Sequence, residues 1–236
     1  MKETEVLVVD ATRSPIGTGI AKIPLLRSAL ITLSPQDLAL QVLDASFRKT
    51  KIPPESIEVF RLGSNVSLKS DYFAQAPDGE IAFRAGIINA SCNISQKACS
   101  SGLLAIAEAA CAIRHKGANF AIGMGLDMMC GVPESVNIGA LTCPITKKTM
   151  AELSDKKARE ELDLTLADYN HYADESYRRA KQHLNDYKRA GYLTPIFTND
   201  FKTPLLDFDQ NITIYENLKE IGEKLLENAK NKIITG

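Results

Sequence analysis

The 236-residue sequence predicts an α/β fold: a mainly parallel mixed sheet covered by helices. Two observations predict it. Up to about residue 128, short apolar runs alternate with helical patterns in the order strand, helix, strand, helix, strand, helix, strand, the pattern of right-handed crossovers in a parallel sheet. After residue 129 the composition shifts, to a loop-like stretch over 131–145 and charged helical segments over 147–190.

Taken in order, "EVLVVDA" (5–11) reads as a buried strand, rich in valine and bounded by charge. "LSPQDLALQVLDASFRKT" (33–50) reads as a helix. Ser34 can cap it, Pro35 suits its first turn, Asp37 suits its positive end, and Leu38, Val42, Ala45 and Phe47 suggest its buried face. Residues 57–67 read as a strand followed by a turn. Residues 71–87 are helix-like, with Pro77 and Gly79 as interruptions. A short strand is expected within 89–98, a helix over 101–116 and a strand within 118–128. Residues 131–145 read as loop and 147–190 as charged helix. Tyr169, Tyr172, Ala173, Tyr177 and Ala180 mark one face of that helix, and Gly191 ends it. "YLTPIFTNDFKT" reads as extended. A last helix is expected over 215–231, with Leu218, Ile221, Leu225 and Ala229 on one face.

Composition narrows the function. Apolar residues make up 44% and charged residues 24%, and the formal net charge is -1. That balance argues against nucleic-acid or polybasic membrane binding, which need a concentrated positive face. Neither a signal-peptide pattern nor a membrane-length apolar run is seen. The five cysteines, Cys92, Cys99, Cys111, Cys130 and Cys143, are irregularly spaced and form no CxxC pair. They suggest free thiols in a reducing, cytoplasmic compartment rather than a disulfide frame or a zinc site.

The segment "KACSSGLLAIAEAACAIRHKG" (97–117) carries the chemistry. Cys99 stands where a strand hands over to a helix, beside the unsatisfied amides and positive dipole of the helix start. Such a place favours a thiolate. Ser100, Ser101 and Gly102 are small, so a substrate could approach closely. The local spacing admits a second reading, a structural cysteine next to a serine cap.

Three stretches together resemble the N-terminal half of a thiolase: "VVDATRSPIG" (8–17), "KACSSGLLAIAEAACAIRHKGANFAIGMGLDMM" (97–129) and "MAELSDKKAREELDLTLADYNHYADESYRRAKQ" (150–182). The first is similar to the family's strand followed by Arg-Thr-Pro-x-Gly. The second is similar to its nucleophile segment and following strand, Gly-Gly-x-Glu-x-Met, and the third to the helices of its loop domain. The resemblance implies a thiolase-like layered fold with an inserted helical loop domain. It divides the chain into a core over 1–128, a CoA-facing loop domain over 129–200 and a return segment over 201–236. It implies acyl transfer through a thioester on Cys99, whose backbone amide would also serve an oxyanion hole. No cofactor is implied, since CoA enters as a substrate. A homo-oligomer is implied too, with the 89–95 strand pairing across a two-fold axis.

The sequence departs from the family pattern in three places. In "GMGLDMM", Met124 stands for a glycine and Asp127 for the longer glutamate, so packing under the site is expected to differ. In "LTCPITKKTMAE", Thr142 and Cys143 stand where the family contacts CoA or the acyl chain, and they are the remaining substrate-binding candidates. The C-terminal motifs Gly-His-Pro, Cys-x-Gly and Asn-Glu-Ala-Phe do not occur in these residues. His115 lies about 24 Å along the helix from Cys99 at 1.5 Å per residue, and His171 and His183 read as surface residues. Cys92, Cys111 and Cys130 read as small core residues. Three functions therefore stand side by side. One is the N-terminal half of a thiolase, its C-terminal half carried by a second chain or lost. The others are a non-catalytic acyl-CoA-binding or interaction protein, and another member of the condensing-enzyme fold.

Overall fold

The computed structural model describes residues 5–18, 27–65, 76–131, 138–139, 141–198, 200, 202–215 and 219–220. Helix α1 (Pro35–Thr50) starts as its residues dictate. Ser34 Oγ accepts the Asp37 N–H at 3.0 Å, Pro35 fills the first turn, and Lys51 closes the helix in the left-handed region at φ 60°. Strand β1 (Val59–Gly63) follows, then α2 (Pro77–Arg84), β2 (Ser91–Ser95), α3 (Ser101–Lys116) and β3 (Ala121–Gly125). Pro77 opens α2 rather than breaking it, because the first turn needs no amide donor there. The expected helical residues 71–75 lie outside the described residues.

The three strands form one parallel sheet in the order β2-β1-β3, with Val59 opposite both Ser91 and Ala121. Strand periodicity separates the two faces of the sheet. Phe60 and Leu62 are fully buried in a core with Leu38, Leu43 and Ile81, and Ile122 and Met124 pack against the same core. The alternate residues Gly63, Gly123 and Gly125 face α3. At this scale, burying side chains such as Phe60 and Leu62 contributes roughly 1.5–3 kcal/mol each. Arg84 of α2 reaches Asp37 of α1 at 2.6 Å and joins the two helices. In α1, Val42 and Phe47 sit at the edge of the core, whereas Gln41 lies inside it. The Gln41 amide both donates to Phe197 O and accepts the Phe197 N–H, which satisfies a buried polar group and anchors a later strand.

Helices α4 (Met150–Glu160) and α5 (Leu166–Arg189) both begin with capping boxes, Thr149 with Glu152 and Thr165 with Asp168. Gly191, at φ 71°, follows the end of α5 as expected. Strands β4 (Ile196–Phe197) and β5 (Pro204–Leu206) then form an antiparallel pair, and α6 (Gln210–Thr213) follows. Tyr177 of α5 stacks on Tyr215 with ring centroids 3.8 Å apart, and Asp174 accepts from Tyr215 and Lys219. The expected 215–231 helix falls mostly outside the described residues; Tyr215, Lys219 and Glu220 are helical.

Three expectations are corrected. Residues 5–11 form no strand, and Leu7, Val8 and Val9 are exposed. The valine pattern meets no neighbouring ladder among the described residues, and the one bridge nearby joins Arg13 to Leu193. Tyr172 is 78% exposed. It stands about 60° around the helix from Tyr169 and about 100° from Ala173, whose face is half-buried with Tyr177 and Ala180. Cys111 is exposed rather than part of the core, since α3 buries the face carrying Ala105, Ala109 and Ala112.

Candidate active site

Cys99 lies between the carboxyl end of β2 and the amino end of α3. The chain reverses there in a tight turn. Ser100 N donates to Lys97 O at 3.1 Å, and Ser101 N donates to Ala98 O at 3.1 Å. Ala98 takes φ 48°, the left-handed region that alanine seldom adopts. The Cys99 side chain is exposed, next to the first turn of α3, whose amides have no partner within the helix.

The helix reaches this position because glycines let it lie on the sheet backbone. A Cβ on Gly63 would stand 2.3 Å from Ser101 O and 2.6 Å from Gly102 N. A Cβ on Gly123 would stand 2.5 Å from the Cα of Ile106, and one on Gly102 would stand 3.3 Å from the Cα of Gly125. Gly123 and Gly125 are two residues apart and therefore share a face. Met124 points the other way, into the α1–α2 core, so the expected change of packing beneath the site does not arise from it. Asp127 braces the strand ends: its carboxylate accepts the Ser64 hydroxyl at 3.2 Å and the Asn65 N–H at 3.1 Å. Ser95, at the end of β2, donates to Glu108 of α3 at 2.5 Å. The signals for this seat were the two glycines of "GMG" and the single glycine ending β1.

The candidates divide between two turns. Cys99, Ser100, Ser101 and Gly102 share the turn just described. Ser100 is exposed and donates to Lys97 O at 2.9 Å, whereas Ser101 is 2% exposed and its hydroxyl bonds within the turn. Thr142 and Cys143 belong to a second turn, closed by the Thr142–Thr149 bridge. Thr142 donates to Ile138 O at 2.7 Å, and Cys143 Sγ accepts the Thr146 N–H at 3.5 Å. The Thr146 side chain, then the Thr146 and Ile145 amides, pull the Cys143 thiol below its ordinary range. Cys92 and Cys130 are half-buried against the core. Burial, then the nearby Asp78, push the Cys92 thiol up.

His115, His171 and His183 are all exposed, and His183 Nδ1 lies 2.9 Å from Asp186. Among the described residues, no group of three or more His, Cys, Asp or Glu is placed to hold a metal ion.

At the edge of this unit, Arg13 and Asp209 form two parallel bonds of 2.7 and 2.8 Å, and Asp209 also accepts the Ile16 N–H. Burial would raise the Asp209 carboxyl, but the bonds from Arg13 and Ile16 outweigh it and hold the group below its ordinary value.

Together these features define an α/β protein of the thiolase-like layered fold, with an exposed cysteine at the mouth of its sheet-spanning helix. Its sequence matches the family described as thiolase, N-terminal domain, over residues 6–221, and the chain belongs to that family. It is 24% identical over 205 residues to an acetyl-CoA acetyltransferase of Yarrowia lipolytica, covering 80% of this chain and 49% of the relative. It is 27% identical over 209 residues to the human mitochondrial acetyl-CoA acetyltransferase, covering 81% of this chain and 46% of the relative. Among solved structures, the acetyl-CoA acetyltransferase of Bacillus anthracis matches with a TM-score of 0.70 at 21% identity, covering 84% of this chain and 52% of that one. A thiolase from Ascaris suum in complex with coenzyme A matches with a TM-score of 0.68 at 23% identity, covering 78% of this chain and 50% of that one. At these identities the structural matches show the fold alone. The chain spans about half the length of the curated relatives it matches.

Proposed function

We propose that this chain is the nucleophile-bearing half of an acyl-CoA C-acyltransferase, a thiolase. In this reading Cys99 thiolate attacks the carbonyl of an acyl-CoA or 3-ketoacyl-CoA. Attack on acyl-CoA expels the CoA thiolate, which takes up a proton; attack on the ketoacyl form expels the acetyl-CoA enolate, which is protonated on carbon. Either route leaves an acyl thioester on Cys99. The observation that carries the proposal is the exposed Cys99 thiol on the tight turn at the mouth of α3. The first-turn amides suit the oxygen that becomes negative during attack. Residues 1–128 would then be the catalytic core and 129–200 a loop domain facing CoA, with Thr142 and Cys143 in contact with CoA or the acyl chain. Residues 201–236 would be a return segment. The substrate class follows the names of the acetyl-CoA acetyltransferases among its relatives. A cytoplasmic place fits the five free thiols.

Condensation and thiolysis also need a positioned base, typically worth ~10²–10⁴ in rate. The three exposed histidines do not supply one, so a thiolase C-terminal half, on the same polypeptide or on a partner chain, would complete the site. An apolar face left exposed by the described residues would receive that half: Leu103 of α3 is 70% exposed and Ile106 is 52% exposed. Among the described residues, strand β2 is a sheet edge, and it would pair with a second copy. Among the described residues, no helix is long and apolar enough to cross a membrane.

The test is acetoacetyl-CoA cleavage by the purified chain, alone and with an added polypeptide carrying a thiolase C-terminal half. Turnover that appears only in the mixture supports the proposal. No turnover in either, with coenzyme A bound, favours a non-catalytic acyl-CoA-binding protein.

A further inference from the structure

We propose that Ser101 is a positioning residue for Cys99. Its buried hydroxyl clamps the turn around the cysteine and sets the direction in which the thiol is presented. The inference rests on the reading of Cys99 as the acyl acceptor. Ser101 is 2% exposed. Its Oγ accepts the Lys97 N–H at 2.9 Å and donates to Ala98 O at 2.6 Å. One side chain therefore holds the Gln96–Lys97 and Ala98–Cys99 peptide groups, from the far side of Cys99 in sequence.

The held conformation needs a clamp. Ala98 sits at φ 48°, and a residue in that region persists only where its surroundings over-determine it. Ser101 is itself fixed from below, since Gly63 leaves just enough room for the Ser101 backbone on the sheet. The neighbouring serine differs. The exposed Ser100 hydroxyl bonds Lys97 O, a bond that water can replace. Water has no such access to the bonds of Ser101. The same burial keeps the Ser101 hydroxyl from touching a substrate, so its influence on transfer must pass through Cys99.

The experiment compares wild type, Ser101→Ala and Ser101→Thr as full chains. It measures acetyl transfer from acetyl-CoA to Cys99, and iodoacetamide alkylation of Cys99 and of Cys111, each by peptide mapping. Cys111 is an exposed thiol on the same helix and reports whether α3 is intact. Ser101→Ala should slow Cys99 acetylation by about tenfold or more, in line with the loss of a positioning contact. The acetyl-CoA concentration for half-saturation and the Cys111 rate should not change. Ser101→Thr, which keeps the hydroxyl, should restore most of the rate. Unchanged acetylation in Ser101→Ala would overturn the proposal, as would an equal loss in Ser101→Thr. So would a rise in Cys111 alkylation in step with the loss, since Ser101 would then hold the whole helix. If wild-type Cys99 takes no acetyl group, even with a thiolase C-terminal half added, but Ser101→Ala still changes the Cys99-to-Cys111 alkylation ratio, the clamp stands and the acyl-acceptor reading fails.

Discussion

Gly63 lies directly beneath Ser101, so that a Cβ added there would stand 2.3 Å from the Ser101 carbonyl oxygen and 2.4 Å from its carbonyl carbon. Those atoms are backbone and cannot turn aside. Gly63→Ala should therefore lift the first turn of α3 off the sheet, at a cost of about 1–3 kcal/mol or more. Gly79→Ala, in the helical α2, meets only the Ala76 Cβ at 4.0 Å and should stabilise the protein by about 0.5–1 kcal/mol. Urea midpoints of the two variants should move in opposite directions; destabilisation by both would show that the gap beneath Ser101 is not the cause.

The Arg13–Asp209 fork ties residue 13 to a position 196 residues away. The Asp209 side chain is buried and that of Arg13 is partly exposed. Arg13→Ala leaves a buried carboxylate without its main partner and should cost about 2 kcal/mol, below the range for fully buried pairs because the arginine is screened by solvent. Arg13→Lys should recover only part of this, since an ammonium makes a point contact rather than a fork. Equal stability of the lysine variant and wild type, by thermal melting, would contradict the role given to the fork.

Asp10 gives a pH-dependent contribution with a definite sign. Burial would raise its carboxyl, but bonds from Lys49, Ser46 and Thr12 outweigh it and hold the group at about 2, against an ordinary 3.8. A carboxylate depressed in the folded state contributes stability above its unfolded value, and that stability is lost as pH falls through the folded value. The contribution should be full above about pH 5 and lost between about pH 4 and 2. After discounting for the half-exposed Lys49, it amounts to about 1–2 kcal/mol. The stability gap between wild type and Asp10→Asn should therefore shrink across that window; a gap that is constant from pH 6 to 2.5 would rule out the ion pair as its source.

The exposed face of α3 yields a prediction for assembly. Leu103→Asp and Ile106→Asp alter surface positions and should change the stability of the chain by no more than about 0.5 kcal/mol. If that face receives the complementing half, each substitution should weaken association by about tenfold or more, the scale of an apolar anchor of 1.4 kcal/mol or above. Association by sedimentation that is insensitive to both substitutions would place the partner elsewhere.

Elements with strong local signals were legible in the sequence. Ser34–Pro35, the alanine-rich 101–116 run and Gly191 fix ends and faces through backbone chemistry close in sequence, and the structure follows them. The failures came from non-local causes. "VLVV" has the composition of a strand, but a strand exists only where a neighbour offers a ladder. The apolar residues of α3 number more than one face can bury, so Cys111 could not be assigned until the alanine face was seen to lie on the sheet. At the site, the position of Cys99 at the helix mouth was readable from sequence alone. The inward turn of Ser101 was not, because Ser100 and Ser101 are chemically identical and only the seating of the Ala105–Ala109–Ala112 face on the sheet puts Ser101 inside. Met124 looked like a change in the packing under the site until strand alternation placed it on the other face.

The central claim is that Cys99 accepts the acyl group, and the most direct test is to locate that group. The chain, with and without a thiolase C-terminal half, would be incubated with acetyl-CoA and its thiols mapped by peptide mass spectrometry at neutral pH. Cys143 is the internal competitor, because Thr146 draws its thiol down and it is partly exposed. One acetyl group is expected, on Cys99, lost on adding free coenzyme A and absent in Cys99→Ala. Acetylation of Cys143 instead of Cys99, or no adduct even with the complementing half present, would contradict it.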